Sequence, residues 1–230
     1  MLSGAFRTRV VKVDPAEPDP AVIEEAATLL RAGEVIAIPT ETVYGLAADG
    51  LNEKAVAKIF ALKERPADRP LVLFVSDPTE VERLTKGMSD KARQLIRAFW
   101  PGPLTIVLRR AEEVSRTVTA GGETVGIRCP DDAVARELAR VLGRPLATSS
   151  ANISGAEAPR DAAGVMRQLG GKIPMILDGG PTRIGIPSTV VDLTVDPAAI
   201  VREGAVGKER LQKYIREDSR EKPNFRRRSI

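Results

Sequence analysis

Three polar segments of this chain carry side chains of the kinds that handle anions, and histidine is absent from the whole sequence. The first is Lys63-Glu-Arg65 with Arg69 four residues on, three cations in a loop stiffened by Pro66 and Pro70. Guanidinium and ammonium groups so placed suit phosphate or carboxylate recognition, although an ordinary solvated loop has the same composition. The second is Thr148-Ser-Ser-Ala-Asn152 with Ser154-Gly155 behind it: hydroxyls, an amide and backbone N–H groups directly after an apolar run. Such a loop cradles an anion or simply satisfies its own backbone. The third runs from Gly179-Gly180 through Gly185 to Pro187-Ser188-Thr189-Val-Val-Asp192, a glycine-rich approach to a strand headed by hydroxyls, or a hairpin-type turn. Arg128 and Arg202 lie on β-patterned segments, and the pattern leaves open whether they face a cavity or the outer surface.

Composition narrows the chemistry. Without histidine there is no Ser-His-Asp or Cys-His nucleophile and no His-ligated zinc. The single cysteine, Cys129, excludes an intramolecular disulfide and a Cys-clustered metal site, and fits a reducing cytoplasm. No G-x-x-x-x-G-K-[ST] loop is present, and no G-x-G-x-x-G opens a helix. Any catalysis must therefore run on lysine, arginine, carboxylates, hydroxyls and backbone amides. A 43% hydrophobic content over 230 residues supports a substantial core in one main domain. No apolar run approaches the ~18 residues of a membrane span, and the N-terminus has no apolar signal core, so a cytoplasmic protein without a membrane partner is expected. The net charge is +4. Residues 216–230 carry +3 of it, and residues 1–215, with 29 basic and 28 acidic groups, only +1. Bulk charge does not argue for nucleic-acid binding.

The elements that must position these segments are organised around Gly33–Leu46. Val35–Ile38 is predicted as a buried strand stopped by Pro39, followed by the polar loop Thr40–Gly45 and a helix capped by Asn52, the α/β order that presents a site at the carboxyl end of a sheet. Before it, Val10–Val13 reads as an edge strand and Asp19-Pro20 as the cap and first residue of a helix ended by Gly33. After it, strands are predicted at 71–75, 104–108, 124–128, 146–148, 175–177, 189–193 and 200–202, and helices at 79–84, 89–99, 131–142, 162–169 and 207–215. The organisation expected is an N-terminal strand and connector (1–19), a catalytic domain (20–215) and a basic, disordered tail (216–230). The fold class is α/β, or α+β, on a mixed twisted sheet, because 104–128 holds successive strands without a helix.

Together the motifs P-T-E-T-V-Y-G-L, K-x-R-P with a cation before Pro-Leu, P-G-P-L-T, G-I-R-x-P, S-x-A-N-x-S-G, S-T-V-V-D and R-E-G closely resemble the YrdC/Sua5 family in its short form, from about residue 20 to 206. The resemblance implies a twisted mixed sheet around a deep, positively charged cavity. It implies L-threonylcarbamoyladenylate synthase activity: L-threonine, bicarbonate and ATP, with Mg2+ on the ATP phosphates and no protein ligands to it, condense to threonylcarbamoyl-AMP and pyrophosphate. A tRNA threonylcarbamoyl-transferase complex then takes the product for tRNAs that read ANN codons. The resemblance assigns Lys63 and Arg65 as catalytic; Thr42, Arg128, Thr148 and Ser188 to threonine or carbamate; and Arg65, Arg69, Thr124, Ser150, Asn152 and Arg202 to the nucleotide. It departs at Arg69, often lysine in relatives, and at Phe74, where many carry a histidine near the threonine. The alternatives are a YciO-like paralogue or a double-stranded-RNA or tRNA-binding protein of the same fold. Arg226-Arg227-Arg228 in the tail suggests weak tRNA contact or a plain solvated segment.

Overall fold

The asparagine and aspartate caps expected from the sequence start their helices. In a computed structural model, which describes residues 7–215, Asp19 accepts from the Ala21 N–H at 2.8 Å ahead of α1 (Pro20–Arg31), and Asn52 caps α2 (Glu53–Lys63). Ser89 caps α4 (Asp90–Phe99), Asp132 caps α5 (Ala133–Leu142) and Asp161 caps α6 (Ala162–Leu169). Each supplies an oxygen to first-turn N–H groups that have no intrahelical partner. The segment 79–84 is shorter than predicted: a 3-10 turn at Pro78–Glu80 and one helical turn, α3 (Val81–Leu84). The last helix among the described residues is α7 (Lys208–Ile215). The 216–230 tail and its expected disorder lie outside the described residues.

The strands are β1 (Arg9–Lys12), β2 (Ile36–Ile38), β3 (Gly45–Asp49), β4 (Val72–Phe74), β5 (Leu104–Arg109), β6 (Thr124–Arg128), β7 (Leu146–Ser150), β8 (Met175–Asp178), β9 (Thr189–Asp192) and β10 (Ala199–Arg202). They form one mixed sheet in the order β1-β8-β2-β3-β7-β4-β6-β5-β9-β10, with β5–β6 antiparallel and β4–β6 parallel. One expectation is corrected. Thr40–Gly45 is the connection of an antiparallel hairpin, β2 to β3, rather than a strand-to-helix loop. Leu46-Ala-Ala-Asp has weak strand propensity and no alternation, and every residue of β3 is buried because the strand is covered on both faces.

The two faces of the sheet are filled unequally. One is covered throughout by α2, α4, α6 and α7, whose apolar stripes meet Leu46, Leu73, Ile106, Ile127 and Val191. On the other, α1 and α5 pack on each other and on β2, β3, β4, β7 and β8, burying Ile36, Ile38, Leu146 and Leu177. On that second face the apolar cluster built by α1 and α5 includes no described residue of β5, β6 or β9. The uncovered strands are the floor of a cavity.

Candidate functional site

The cavity encloses about 400 Å3, inside the ~300–1,000 Å3 range of small-molecule sites. Its floor follows the period of two that a strand imposes. Val72 and Phe74 of β4, Thr105 and Val107 of β5, and Thr124, Gly126 and Arg128 of β6 point the same way, as do Thr148 and Ser150 of β7. Gly126 stands in register between Val72 and Val107. A Cβ there would lie 3.3 Å from Thr105 Cγ2 and 3.6 Å from Val72 Cγ2, so its missing side chain is part of the open volume.

At the inner end Arg128, 3% exposed, is fixed on every side. Its Nε donates to Gly102 O at 3.1 Å, Nη1 donates to Thr42 Oγ1 at 3.1 Å, and Nη2 pairs with Glu41 Oε2. Phe74 lies beneath, 5.2 Å from the guanidinium carbon to the ring centroid. Glu41, 2% exposed, also accepts from the Asp131 N–H through Oε1 at 3.0 Å. A guanidinium has five N–H donors. Three are used by protein, which leaves one on each terminal nitrogen for the oxygens of a ligand.

Hydroxyls ring the same space. Thr42 Oγ1 shares a 2.8 Å hydrogen bond with Thr40 Oγ1, Thr148 donates to Val72 O at 3.0 Å, and Ser188 Oγ shares one of 2.8 Å with Thr105 Oγ1. Arg202 reaches in from β10 and donates to Ser188 O from Nε and Nη2. Arg65 and Arg69 line the mouth with Asp68, the one carboxylate among the lining residues. Arg65 is braced on its own loop, donating to Arg69 O at 2.9 Å and to Pro70 O at 2.8 Å. Burial, then the neighbouring Arg69 and Arg202, lowers the Arg65 pKa; burial, then Arg128, lowers that of Arg202. Cations set against one another in this way attract an anion strongly.

Lys63 and Asn152 are placed differently from the open-loop expectation. Lys63 is the last residue of α2, 1% exposed, and is not among the lining residues. Its Nζ donates to Ser150 O, to Asn152 O at 2.6 Å and to Asn152 Oδ1 at 3.3 Å. Asn152 Nδ2 donates to Ile153 O at 2.9 Å and Ala156 O at 2.8 Å, so this side chain folds its own loop instead of facing the cavity. The reason is local. Lys63 falls on the buried stripe of α2, four residues after Ile59, and the left-handed cap at Glu64 (φ 52) redirects the chain that follows, where Arg65 lines the cavity. Residue type does not single out Glu41, Phe74, Thr105 or Gly126 as site residues. Glu41 alone carries a signal, a carboxylate between two threonines in an otherwise apolar stretch.

Lys63 makes a pH prediction. Burial with no carboxylate partner, and Arg65 nearby, pushes its ammonium down to about 7 from 10.5. Above pH 7 the unfolded chain holds a proton that the folded chain has lost, so stability rises with pH. Lys63 should contribute up to ~1.4 kcal/mol per pH unit between about pH 7 and 9. Denaturant midpoints across that range should show the slope, and Lys63→Met should lose it. Asp132 acts in the opposite sense. Burial raises its carboxyl from 3.8 to about 6, so its contribution to stability falls as pH rises from 4 to 6.

No group of three or more His, Cys, Asp or Glu among the described residues is arranged to hold a metal ion. No helix among them is long and apolar enough to cross a membrane.

Known proteins share this architecture. The family model for Sua5, YciO and YrdC proteins, described as telomere recombination, matches residues 28–204. A threonylcarbamoyl-AMP synthase of Pyrococcus abyssi is 46% identical over 195 residues, which cover 85% of this chain and 57% of that protein. A putative threonylcarbamoyl-AMP synthase of Mycobacterium tuberculosis is 38% identical over 206 residues, 90% of this chain and 94% of its own length. The crystal structure of P. abyssi Sua5 complexed with L-threonine superposes with a TM-score of 0.88 at 43% identity, covering 90% of this chain and 61% of that one. This chain thus spans little more than half the length of the archaeal protein. With the family model matched over most of its length, the chain belongs to the Sua5/YciO/YrdC family.

Proposed function

We propose that this chain is a nucleotidyltransferase that condenses L-threonine, bicarbonate and ATP to threonylcarbamoyl-AMP and pyrophosphate. The observation that carries this reading is one cavity with two anion stations: a fixed guanidinium, Arg128, with two N–H groups to spare at its inner end, and Arg65, Arg69 and Arg202 at its mouth. Threonine is the amino acid named with the P. abyssi structure. Here its carboxylate would bridge the free N–H pair of Arg128, and Thr42, Thr148 and Ser188 stand near enough in the cavity to hold its polar groups. The triphosphate would lie along the mouth arginines, with Thr124 and Ser150 flanking the nucleoside. Mg2+ arrives as part of the substrate, on the phosphates.

The chemistry needs no protein nucleophile, which suits a chain without histidine. Threonine's amine adds to bicarbonate with loss of water, giving a carbamate. A carbamate oxygen then attacks the α-phosphorus; the new O–P bond forms as the bond to the β-phosphate oxygen breaks, and pyrophosphate leaves. The protein's task is to hold two anions together and offset their repulsion. Orientation of this kind contributes on the order of 7–11 kcal/mol, and prepositioned cations stabilise charge that develops at the leaving group. The product is a mixed anhydride prone to hydrolysis, so a transferase acting on tRNA must consume it promptly.

Pyrophosphate release should require both threonine and bicarbonate; equal release with threonine omitted rules the reading out. Arg65→Ala should lower turnover or ATP affinity roughly ten- to a hundredfold, the loss of a charge-assisted contact worth about 1.5–3 kcal/mol. Steady-state kinetics on the variant checks it.

A further inference from the structure

Two walls of the cavity, the cation loop after α2 and the hydroxyl loop after β7, are joined by a single buried side chain. We infer that Lys63 is a positioning residue, an internal tie that sets Ser150 and Arg65 relative to each other, and that it makes no contact with phosphate. The inference rests on the proposed ATP and threonine site for its consequences, though not for its geometry.

Both ends of Lys63 grip the hydroxyl loop. Its carbonyl accepts from the Ser154 N–H at 2.8 Å, while Nζ donates to Ser150 O, Asn152 O and Asn152 Oδ1. The ammonium's three donors meet three oxygens, and no carboxylate forms an ion pair with it among the described residues. Asn152 extends the grip to Ala156 O, and the Ile153 N–H donates to Gln168 Oε1 on α6 at 3.0 Å. One residue further along, the left-handed Glu64 swings the chain so that Arg65 lies among the lining residues of the cavity. Ser150 lines the opposite wall. A lysine at 1% exposure, absent from the lining and with its Nζ held by loop oxygens, is spent on architecture.

The test uses Lys63→Ala beside Arg65→Ala in the full chain. Alanine keeps Cβ, so n-propylammonium matches the deleted atoms from Cγ to Nζ. The inference expects faster amide exchange at residues 151–156 in Lys63→Ala alone, and a melting temperature that n-propylammonium raises in that variant and not in Arg65→Ala. These readouts need no ligand, so they stand or fall apart from the proposed activity. With ligands, Lys63→Ala should weaken ATP and threonine binding together, roughly tenfold or more, and leave the salt dependence of ATP binding as in the parent. Arg65→Ala should flatten that dependence. Wild-type exchange at 151–156 in Lys63→Ala, or a salt dependence flattened as much as by Arg65→Ala, overturns the inference. If Lys63→Ala is unfolded at the assay temperature, Lys63→Met, which keeps most of the stem, takes its place in the exchange and salt measurements with the same two readings.

Discussion

Glu41→Ala should destabilise the protein by about 3–5 kcal/mol, because it strands the Arg128 guanidinium in the interior without its countercharge. Arg128 is 3% exposed and its other protein partners, Gly102 O and Thr42 Oγ1, are neutral. The Asp131 N–H loses its acceptor in the same change. Glu41→Gln keeps an oxygen for one donor and should cost less. Threonine affinity should fall with either variant, since the guanidinium that lines the cavity is no longer held in place. Chemical denaturation and calorimetric titration with threonine measure both effects. A loss below about 1 kcal/mol for Glu41→Ala would mean that water or another group satisfies Arg128, and that the pair is not what fixes it.

Gly126→Val should separate binding from folding. Gly126 has ordinary strand backbone, outside the positive-φ set, so a side chain meets no conformational penalty there. The new Cβ would start 3.3 Å from Thr105 Cγ2 and the branch would extend into the cavity. Overpacking of this degree costs about 1–3 kcal/mol, which a domain of this size tolerates. Filling the floor should weaken both ATP and threonine binding by more than roughly a hundredfold, as expected when a ligand must displace a side chain that cannot move. Binding retained near the parent value would place the ligands elsewhere.

How far these residues are legible in the sequence depends on what holds them. Caps and stripes are local, so residue type and spacing alone mark Asp19, Asn52, Ser89 and Asp132 as helix starts. Alternation along Thr124–Arg128 is equally plain, but it leaves open which face meets a cavity, and only the fold puts Arg128 among the lining residues. The β3 strand is not legible, because a strand covered on both faces loses alternation and Leu46-Ala-Ala reads as anything. Lys63 shows the other limit. A lysine followed by Glu64 and Arg65 looks solvated, and only the oxygens of a loop 87 residues away reveal where it goes. The pairing of Glu41 is hidden for the same reason, its partner Arg128 being 87 residues distant in the chain. Motif resemblance points to the site as a whole; it does not distinguish residues facing the cavity from those that build it.

The most direct measurement of the central claim is a double-label experiment. Carbon-labelled bicarbonate and ATP labelled at the α-phosphate are supplied with unlabelled threonine and Mg2+, and the products are separated at once. The account expects both labels in a single threonine-containing adenylate, with pyrophosphate released in equal amount. An adenylate that carries the phosphate label without the bicarbonate carbon would mean that threonine's own carboxylate is activated, and would contradict the account.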